Sequence, residues 1–221
     1  MSAYFVTATG TDIGKTFVTA GLLRRLRAQG RAVSALKPVV SGFAMATAAQ
    51  SDPGQLLAAL GEPVTPETVA RIAPWRYAAP LSPDMAAARE GREIPYDEMV
   101  GFCRRAAETA GTLLIEGVGG VMVPLDAQHT VLDWMSELRL PVILVAGSYL
   151  GTISHTLTAL AALRQRGLAL ALLVINDTGE SPVPLGETAA AIARFAGAVS
   201  IATIARHASE RDFAAPAALL A

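Results

Sequence analysis

Six short apolar runs recur along the chain, each separated from the next by a stretch with helical periodicity. They are YFVT (Tyr4–Thr7), AVSAL (Ala32–Leu36), TLLI (Thr112–Ile115), VILV (Val142–Val145), LALLVI (Leu170–Ile175) and VSIATI (Val199–Ile204). Runs this continuous, and this short, are what strands buried on both faces of a parallel sheet require. The intervening stretches predict helices over Thr16–Ala28, Tyr96–Ala110, Val131–Leu138 and Ile153–Gln165. In the first of these, Leu22, Leu23 and Leu26 mark one face and Arg24, Arg25 and Arg27 the other. The alternation predicts an α/β fold: a mostly parallel, doubly wound sheet flanked by helices, with ligands gathered at the carboxyl ends of the strands.

With 221 residues, 52% of them hydrophobic, the chain can bury a core as one domain, expected to span 1–221. The stretch from Ser41 to Glu93 is different in texture, with many prolines and short helical pieces at Pro53–Leu60 and Asp84–Glu90. It reads as a long excursion over the sheet without a core pattern of its own, the kind of segment that often carries function. A net charge of -1 and the lack of any Lys/Arg-dense run argue against a nucleic-acid partner. The apolar run Leu168–Ile175 is far below the roughly 18 residues of a membrane span, and the strand-like start does not resemble a signal peptide. One cysteine, Cys103, excludes an intrachain disulfide and suits a reducing compartment, so a cytoplasmic location is expected.

The first strand runs into VTATGTDIGKT, Val6–Thr16. A strand, a glycine-containing turn and Lys15-Thr16 opening a helix would aim backbone N–H groups and the positive helix end at an anion. Lys15 would reach the outer phosphates of a nucleotide, and the Thr16 hydroxyl would ligate Mg²⁺. The general phosphate-loop spelling G-x-x-x-x-G-K-[ST] asks for glycine at residue 9, where Thr9 stands. The competing reading is a lysine at an ordinary helix start.

ALKPVVSG, Ala35–Gly42, puts Lys37 at the end of the second strand, where it could neutralise charge on a transferred phosphoryl group. LLIEGVGG, Leu113–Gly120, ends a buried strand in Glu116, a candidate metal carboxylate, followed by glycines that allow close backbone approach. Asp52 reads either as the cap of a short helix or as a further metal ligand. Asn176-Asp177 reads equally as an Asx turn or as a hydrogen-bonding edge for a nucleotide base. His129, His155 and His207 have no metal-like spacing, and Cys103 reads as a small core residue.

Together these segments resemble the dethiobiotin synthetase family of P-loop NTPases, from the N-terminus to about Asp177. In that family's longer loop, G-T-D-T-x-x-G-K-T, the leading glycine falls at Ala8, Thr9 matches, Gly10 replaces aspartate, and Thr11 to Thr16 follow in register. The oddity is then Ala8, with Gly10 expected to provide the lost conformational freedom two residues later. K-P-V-x-S-G matches Lys37 to Gly42, S-D matches Ser51-Asp52, P-x-S-P matches Pro80 to Pro83, E-G-x-G-G matches Glu116 to Gly120, and N-D matches Asn176-Asp177. DWMSELRLPVILVAGSYLGTISH is similar to a further family stretch, with Ser154 in place of its asparagine. The C-terminal G-E-I-P is missing, with Thr203 where its proline would stand, which leaves nucleotide preference open.

The resemblance implies ATP- and Mg²⁺-dependent ring closure of 7,8-diaminononanoate with CO₂, through a carbamate and a carbamic-phosphoric anhydride, to dethiobiotin, ADP and phosphate. It implies that Lys15, Lys37 and Thr11 serve the chemistry and that Thr16, Asp52 and Glu116 hold the metal. The loop Asp12-Ile13-Gly14-Lys15-Thr16-Phe17, Asp52, the stretch Glu116-Gly117-Val118-Gly119 and Asn176-Asp177 would contact the nucleotide. Ser41, Ser82, Gly151 and Ser154 would meet the diamine, the last two, with Leu150, across a homodimer interface. Three alternatives stand beside it. An amide-forming synthetase of the same superfamily would ordinarily add a glutaminase domain. A partitioning-type ATPase would carry an early loop lysine. A decayed binding module would have lost charged groups that this chain keeps.

Overall fold

The structure, a computed structural model, describes residues 2–109, 111–179 and 181–220. The chain order is β1 (Ser2–Ala8), α1 (Lys15–Ala28), β2 (Val33–Leu36), β3 (Val39–Val40), α2 (Asp52–Leu60), α3 (Pro66–Ile72), β4 (Trp75–Arg76), α4 (Pro83–Arg89) and α5 (Tyr96–Ala107). It continues with β5 (Thr112–Glu116), α6 (Val131–Leu138), β6 (Val142–Ala146), α7 (Thr152–Gln165), β7 (Leu170–Asn176), α8 (Leu185–Ala196), β8 (Ile201–Ile204) and α9 (Ala214–Ala218). Short 3₁₀ turns lie at Met45–Gln50 and Glu210–Phe213.

The apolar runs pair as expected, in one six-stranded sheet of order β2-β5-β1-β6-β7-β8 whose pairings are all parallel. Every residue of β5 and β6 is buried, the signature of strands covered on both faces. The strand order reverses direction at β1, so the loops after β1, β2 and β5 open on one crevice at the carboxyl edge. Phe5 on β1 meets Trp134 of α6 edge to face, with centroids 4.8 Å apart, which anchors that helix on the sheet. Cys103 on α5 is fully buried, and burial pushes its thiol up to about 12.

Several boundaries differ from the sequence expectation. The helix predicted to Ala110 ends at Ala107, and Ala110 itself lies outside the described residues. α3, α8 and the two-residue strands β3 and β4, a small parallel pair beside the main sheet, were not expected. The excursion does have a core pattern: Leu56, Leu57, Ile72 and Tyr77 are buried in the same apolar cluster as the sheet. Its prolines obscure this by breaking the periodicity into pieces of one or two turns.

Candidate functional site

The phosphate-type loop leaves β1 at Ala8, which is the last strand residue and fully buried. Ala8 keeps its place in the ladder opposite Val145, so no glycine is needed there. Left-handed backbone falls instead at Asp12 (φ 57°) and at Gly14 (φ 87°), not at Gly10 as expected. Gly14 is required twice over. Its φ favours glycine, and a Cβ there would sit 2.2 Å from Nδ2 of Asn176. That same Nδ2 donates to the Ile13 carbonyl at 2.9 Å, so Asn176, at the end of β7, clasps the loop from behind. α1 starts at Lys15 with no side-chain cap, so its first N–H groups are turned to the crevice.

Lys15 and Lys37 reach into this crevice from different elements. Lys15 Nζ donates to the Gly119 carbonyl at 3.2 Å. Lys37 follows β2, where Pro38 ends the strand, and is only 2% exposed. Its Nζ donates to Glu116 Oε1 at 2.7 Å and to the Gly117 carbonyl at 2.8 Å, and pairs with Asp52 Oδ2 at 2.9 Å. Glu116 Oε1 also accepts the Thr16 hydroxyl at 2.6 Å. The glycine stretch after β5 thus offers carbonyls to both lysines, while the acid before it ties Lys37 to Thr16.

The charges are held very differently. Burial, reinforced by the like charge of Lys37, brings Lys15 down to about 8. Burial also opposes the charge on Lys37, but Glu116 and Asp52 outweigh it and raise its pKa above the ordinary lysine value. Burial alone would raise Asp52; Lys37, by charge and hydrogen bond, holds its carboxyl below the usual range.

Asp52 is not the cap of α2. Ser51 is the N-cap, its Oγ accepting from Gly54 N at 3.4 Å, and Asp52 sits in the first turn aimed at Lys37. Asp177 does make an Asx turn, its Oδ1 accepting from Gly179 N at 2.8 Å. Glu116 is 0% exposed, and its Oε2 is buried without a hydrogen-bond partner among the described residues. Thr16 Oγ1, Glu116 and Asp52 form an oxygen donor set that suits Mg²⁺, which takes one or two carboxylates plus substrate phosphates. Among the described residues no cluster of three or more His, Cys, Asp and Glu could hold a metal by itself.

Lys15, Thr16, Lys37 and Asp52 line a cavity of about 780 Å³. Of the expected site residues, Thr11, Asp12, Gly14, Lys15, Thr16, Phe17, Lys37, Ser41, Asp52, Ser82, Val118 and Gly119 border it. Ile13, Glu116, Gly117 and Asn176 stand behind that wall and hold it through the contacts above. Gly151 and Ser154, at the start of α7, do not border it; Leu150 beside them is 86% exposed. Val40, Gln55 and Val123 also line the cavity and were not foreseen. Gln55 was within reach, since it lies three residues after Asp52 on the same helical face.

A protein-family profile described as "AAA domain" matches residues 2–209. Among solved structures, the Pyrococcus furiosus cell division ATPase MinD aligns with a TM-score of 0.55 at 19% identity, covering 93% of this chain and 84% of that one. The Aquifex aeolicus MinC:MinD complex aligns at 0.56 with 11% identity, covering 98% and 86%. At such identities the likeness concerns the fold alone. Sequence relatives are much nearer. The ATP-dependent dethiobiotin synthetase BioD of Acidiphilium cryptum is 54% identical over 200 residues, 90% of each chain. That of Methylobacterium nodulans is 53% identical over 212 residues, 93% of this chain and 94% of its own. Identity of this extent, over a cavity in which Lys15, Thr16, Lys37, Asp52 and Glu116 converge, means that the chain belongs to the dethiobiotin synthetase family.

Proposed function

We propose that this protein is an ATP-dependent dethiobiotin synthetase, a cyclo-ligase that closes 7,8-diaminononanoate and CO₂ into a cyclic urea at the expense of ATP. The observation that carries the reading is Lys37, buried between Glu116 and Asp52 in the cavity that Lys15 and Thr16 also face. One substrate amine bonds to CO₂ and loses a proton, giving a carbamate. The carbamate oxygen attacks the γ-phosphorus of ATP, and ADP leaves. The second amine attacks the carbonyl carbon of the resulting anhydride, phosphate leaves, and the ring closes.

The chain's own groups match what those steps demand. Carbamate and triphosphate repel, so cations must stand where they meet; Lys15 and Lys37 are those cations. α1's uncapped N–H groups and the loop cradle the phosphates. Ser41 borders the cavity with a buried hydroxyl that has no partner among the described residues, and with Thr11 it would orient carbamate or amine by hydrogen bonds. Thr16, Asp52 and Glu116 would hold Mg²⁺, which when bound offsets charge on the phosphate oxygens. No side chain has to act as a nucleophile.

A homodimer completes the site in this reading. Leu150 and Ile153 are exposed apolar side chains flanking Gly151, and with Ser154 they would meet the diamine bound by a second copy. Residues 1–221 would then act as one catalytic domain, in the cytoplasm. Among the described residues no helix is long and apolar enough to cross a membrane.

The test is direct. Purified protein given 7,8-diaminononanoate, bicarbonate, Mg²⁺ and ATP should form dethiobiotin and release phosphate in equal amounts. ATP turnover indifferent to the diamine would sink the synthetase reading and favour an ATPase switch.

A further inference from the structure

The chain has two lysines, Lys15 and Lys37, and both border the cavity; every other Lys/Arg position is arginine. A guanidinium grips a carboxylate as a rigid fork, whereas an ammonium is a compact charge on a flexible stem. At Lys37 that difference bears on how a metal ion enters.

Lys37 stands between the cavity and Glu116. It borders the cavity, while Glu116 lies behind the wall and is 0% exposed. Glu116 Oε1 accepts both the Lys37 ammonium at 2.7 Å and the Thr16 hydroxyl at 2.6 Å. Its Oε2 is buried, with no hydrogen-bond partner among the described residues. Asp52, by contrast, borders the cavity with a side chain that is 41% exposed. A cation arriving from the cavity therefore meets Thr16 and Asp52 directly, but comes to Glu116 only past Lys37.

Charge and distance keep the two cations apart. The ammonium offsets half the charge of the two carboxylates it contacts, and a divalent ion would offset all of it. Mg²⁺ binds oxygen at about 2.0–2.1 Å, so sharing Glu116 Oε1 with the ammonium would press two cations together in a buried site. The Lys37 backbone is pinned, because its N–H donates to the Ile72 carbonyl at 2.9 Å and the next carbonyl, of Pro38, accepts from Trp75 N at 3.1 Å. What can move is the four-carbon side chain. We propose that Lys37 gates the metal site: its ammonium covers Glu116, and a divalent cation reaches that carboxylate by displacing the ammonium into the cavity, toward the ligand's anionic groups. The inference rests on the reading that Thr16, Asp52 and Glu116 hold Mg²⁺. It adds that metal and lysine are alternative occupants of the same carboxylates, so that loading the one delivers the other.

The experiment follows lysine and metal without turnover. In nucleotide-free wild type, reductive methylation of the two lysines is read by peptide mass spectrometry, with and without excess Mg²⁺. Lys37, 2% exposed, should methylate several-fold faster with Mg²⁺, while alkylation of the buried Cys103 is unmoved. A Lys37 rate that is unchanged or slower would overturn the proposal, and so would a rise shared by Cys103, which would mean that the whole fold opens. Binding of Mn²⁺, a second ion suited to oxygen ligands, is then titrated by electron paramagnetic resonance. Lys37→Met should bind it about ten-fold tighter than wild type, and Lys15→Met, whose lysine pairs with neither acid among the described residues, within about three-fold. Adding Glu116→Gln to Lys37→Met should abolish the gain. Equal gains in the two lysine variants would reduce the effect to overall charge, and no Mn²⁺ bound by any variant would remove the metal site; either outcome makes the proposal wrong. Methylation of wild type keeps the test decisive should Lys37→Met fail to fold. Protein that behaves as expected here but makes no dethiobiotin would overturn the function and spare this inference. Protein that makes dethiobiotin while Mg²⁺ leaves Lys37 covered would do the reverse.

Discussion

Lys15 and Lys37 share one cavity and nearly the same burial, yet the protein treats their charges in opposite ways. Around Lys37 it has built the counter-charge itself: Glu116 and Asp52 lie within 2.9 Å, and the ammonium is more basic than in water. Around Lys15, whose ammonium donates to the Gly119 carbonyl, burial and then the repulsion of Lys37 outweigh the more distant attraction of Glu116, Asp52 and Asp12, so the ammonium is held at a pKa of about 8. Lys37 is thus a structural cation that fixes the geometry of two acids. Lys15 is a strained one, whose natural partner is an anion brought in by the ligand. The proposed reaction calls on both, whereas stability is served by only one.

Replacing either lysine by methionine, close in volume but uncharged, breaks the comparison most strongly. Dethiobiotin formation should fall about 10³-fold or more in both, because each loses charge at the transferred phosphoryl group. Stability should move in opposite directions. Lys37→Met leaves Glu116 and Asp52 without the cation that contacts both, and urea unfolding should report a loss of about 3–5 kcal/mol. Lys15→Met removes a charge that folding disfavours, and should gain up to about 3 kcal/mol at neutral pH, the worth of a pKa depressed from 10.5 to about 8. Equal destabilisation of the two variants would end the distinction drawn between them.

The same two groups set a pH dependence. Lys15 binds its proton more weakly folded than unfolded, so its penalty is fully present below pH 8 and relaxes between about 8 and 10.5. The advantage of Lys15→Met over wild type should therefore shrink across that window. Lys37 has the opposite sign: its raised pKa stabilises the fold below the unfolded lysine value, and this is lost only as pH rises through the higher folded pKa. Urea unfolding of wild type and Lys15→Met at pH 7 and pH 10 reads the difference. A constant gap would show that Lys15 is not strained.

Much of this site was legible in the sequence because its lysines and acids sit at ends of elements that announce themselves. β1, β2 and β5 are continuous apolar runs, and Lys37 and Glu116 are where those runs stop. Cooperation between distant residues was not legible. Asn176 clasps Ile13 across 163 residues, and only the left-handed Gly14 makes room for it. Ser51 and Asp52 are both good cap residues, and only the fold shows that Ser51 caps α2 while Asp52 pairs with the distant Lys37. α8 did carry a signal, Thr188, Ile192 and Ala196 at four-residue spacing, but alanines on every side blur its apolar face. β3 and β4 are too short for any period to show, and they exist because Lys37 N and Trp75 N find carbonyls across the excursion.

The smallest expected effect sharpens the comparison from the acid side. Asp52 and Glu116 both neutralise Lys37, but the Asp52 side chain is 41% exposed and that of Glu116 is 0% exposed. Solvent screens the first pair, so Asp52→Asn should cost less than about 1 kcal/mol. Glu116→Gln, which leaves a buried cation short of its nearer partner, should cost several times more. The lone cysteine offers a readout: Cys103 is fully buried with a thiol at about 12, so alkylation reports opening of the fold and not surface reactivity. At pH 8 the labelling rate should rank Glu116→Gln fastest, Asp52→Asn slightly above wild type, and Lys15→Met slowest. Because the depressed pKa of Asp52 stabilises the fold above the unfolded aspartate value, the stabilities of Asp52→Asn and wild type, read by urea unfolding, should converge as pH falls through the lower folded pKa. Divergence there instead would mean that the ionised Asp52 carboxylate does not stabilise the fold.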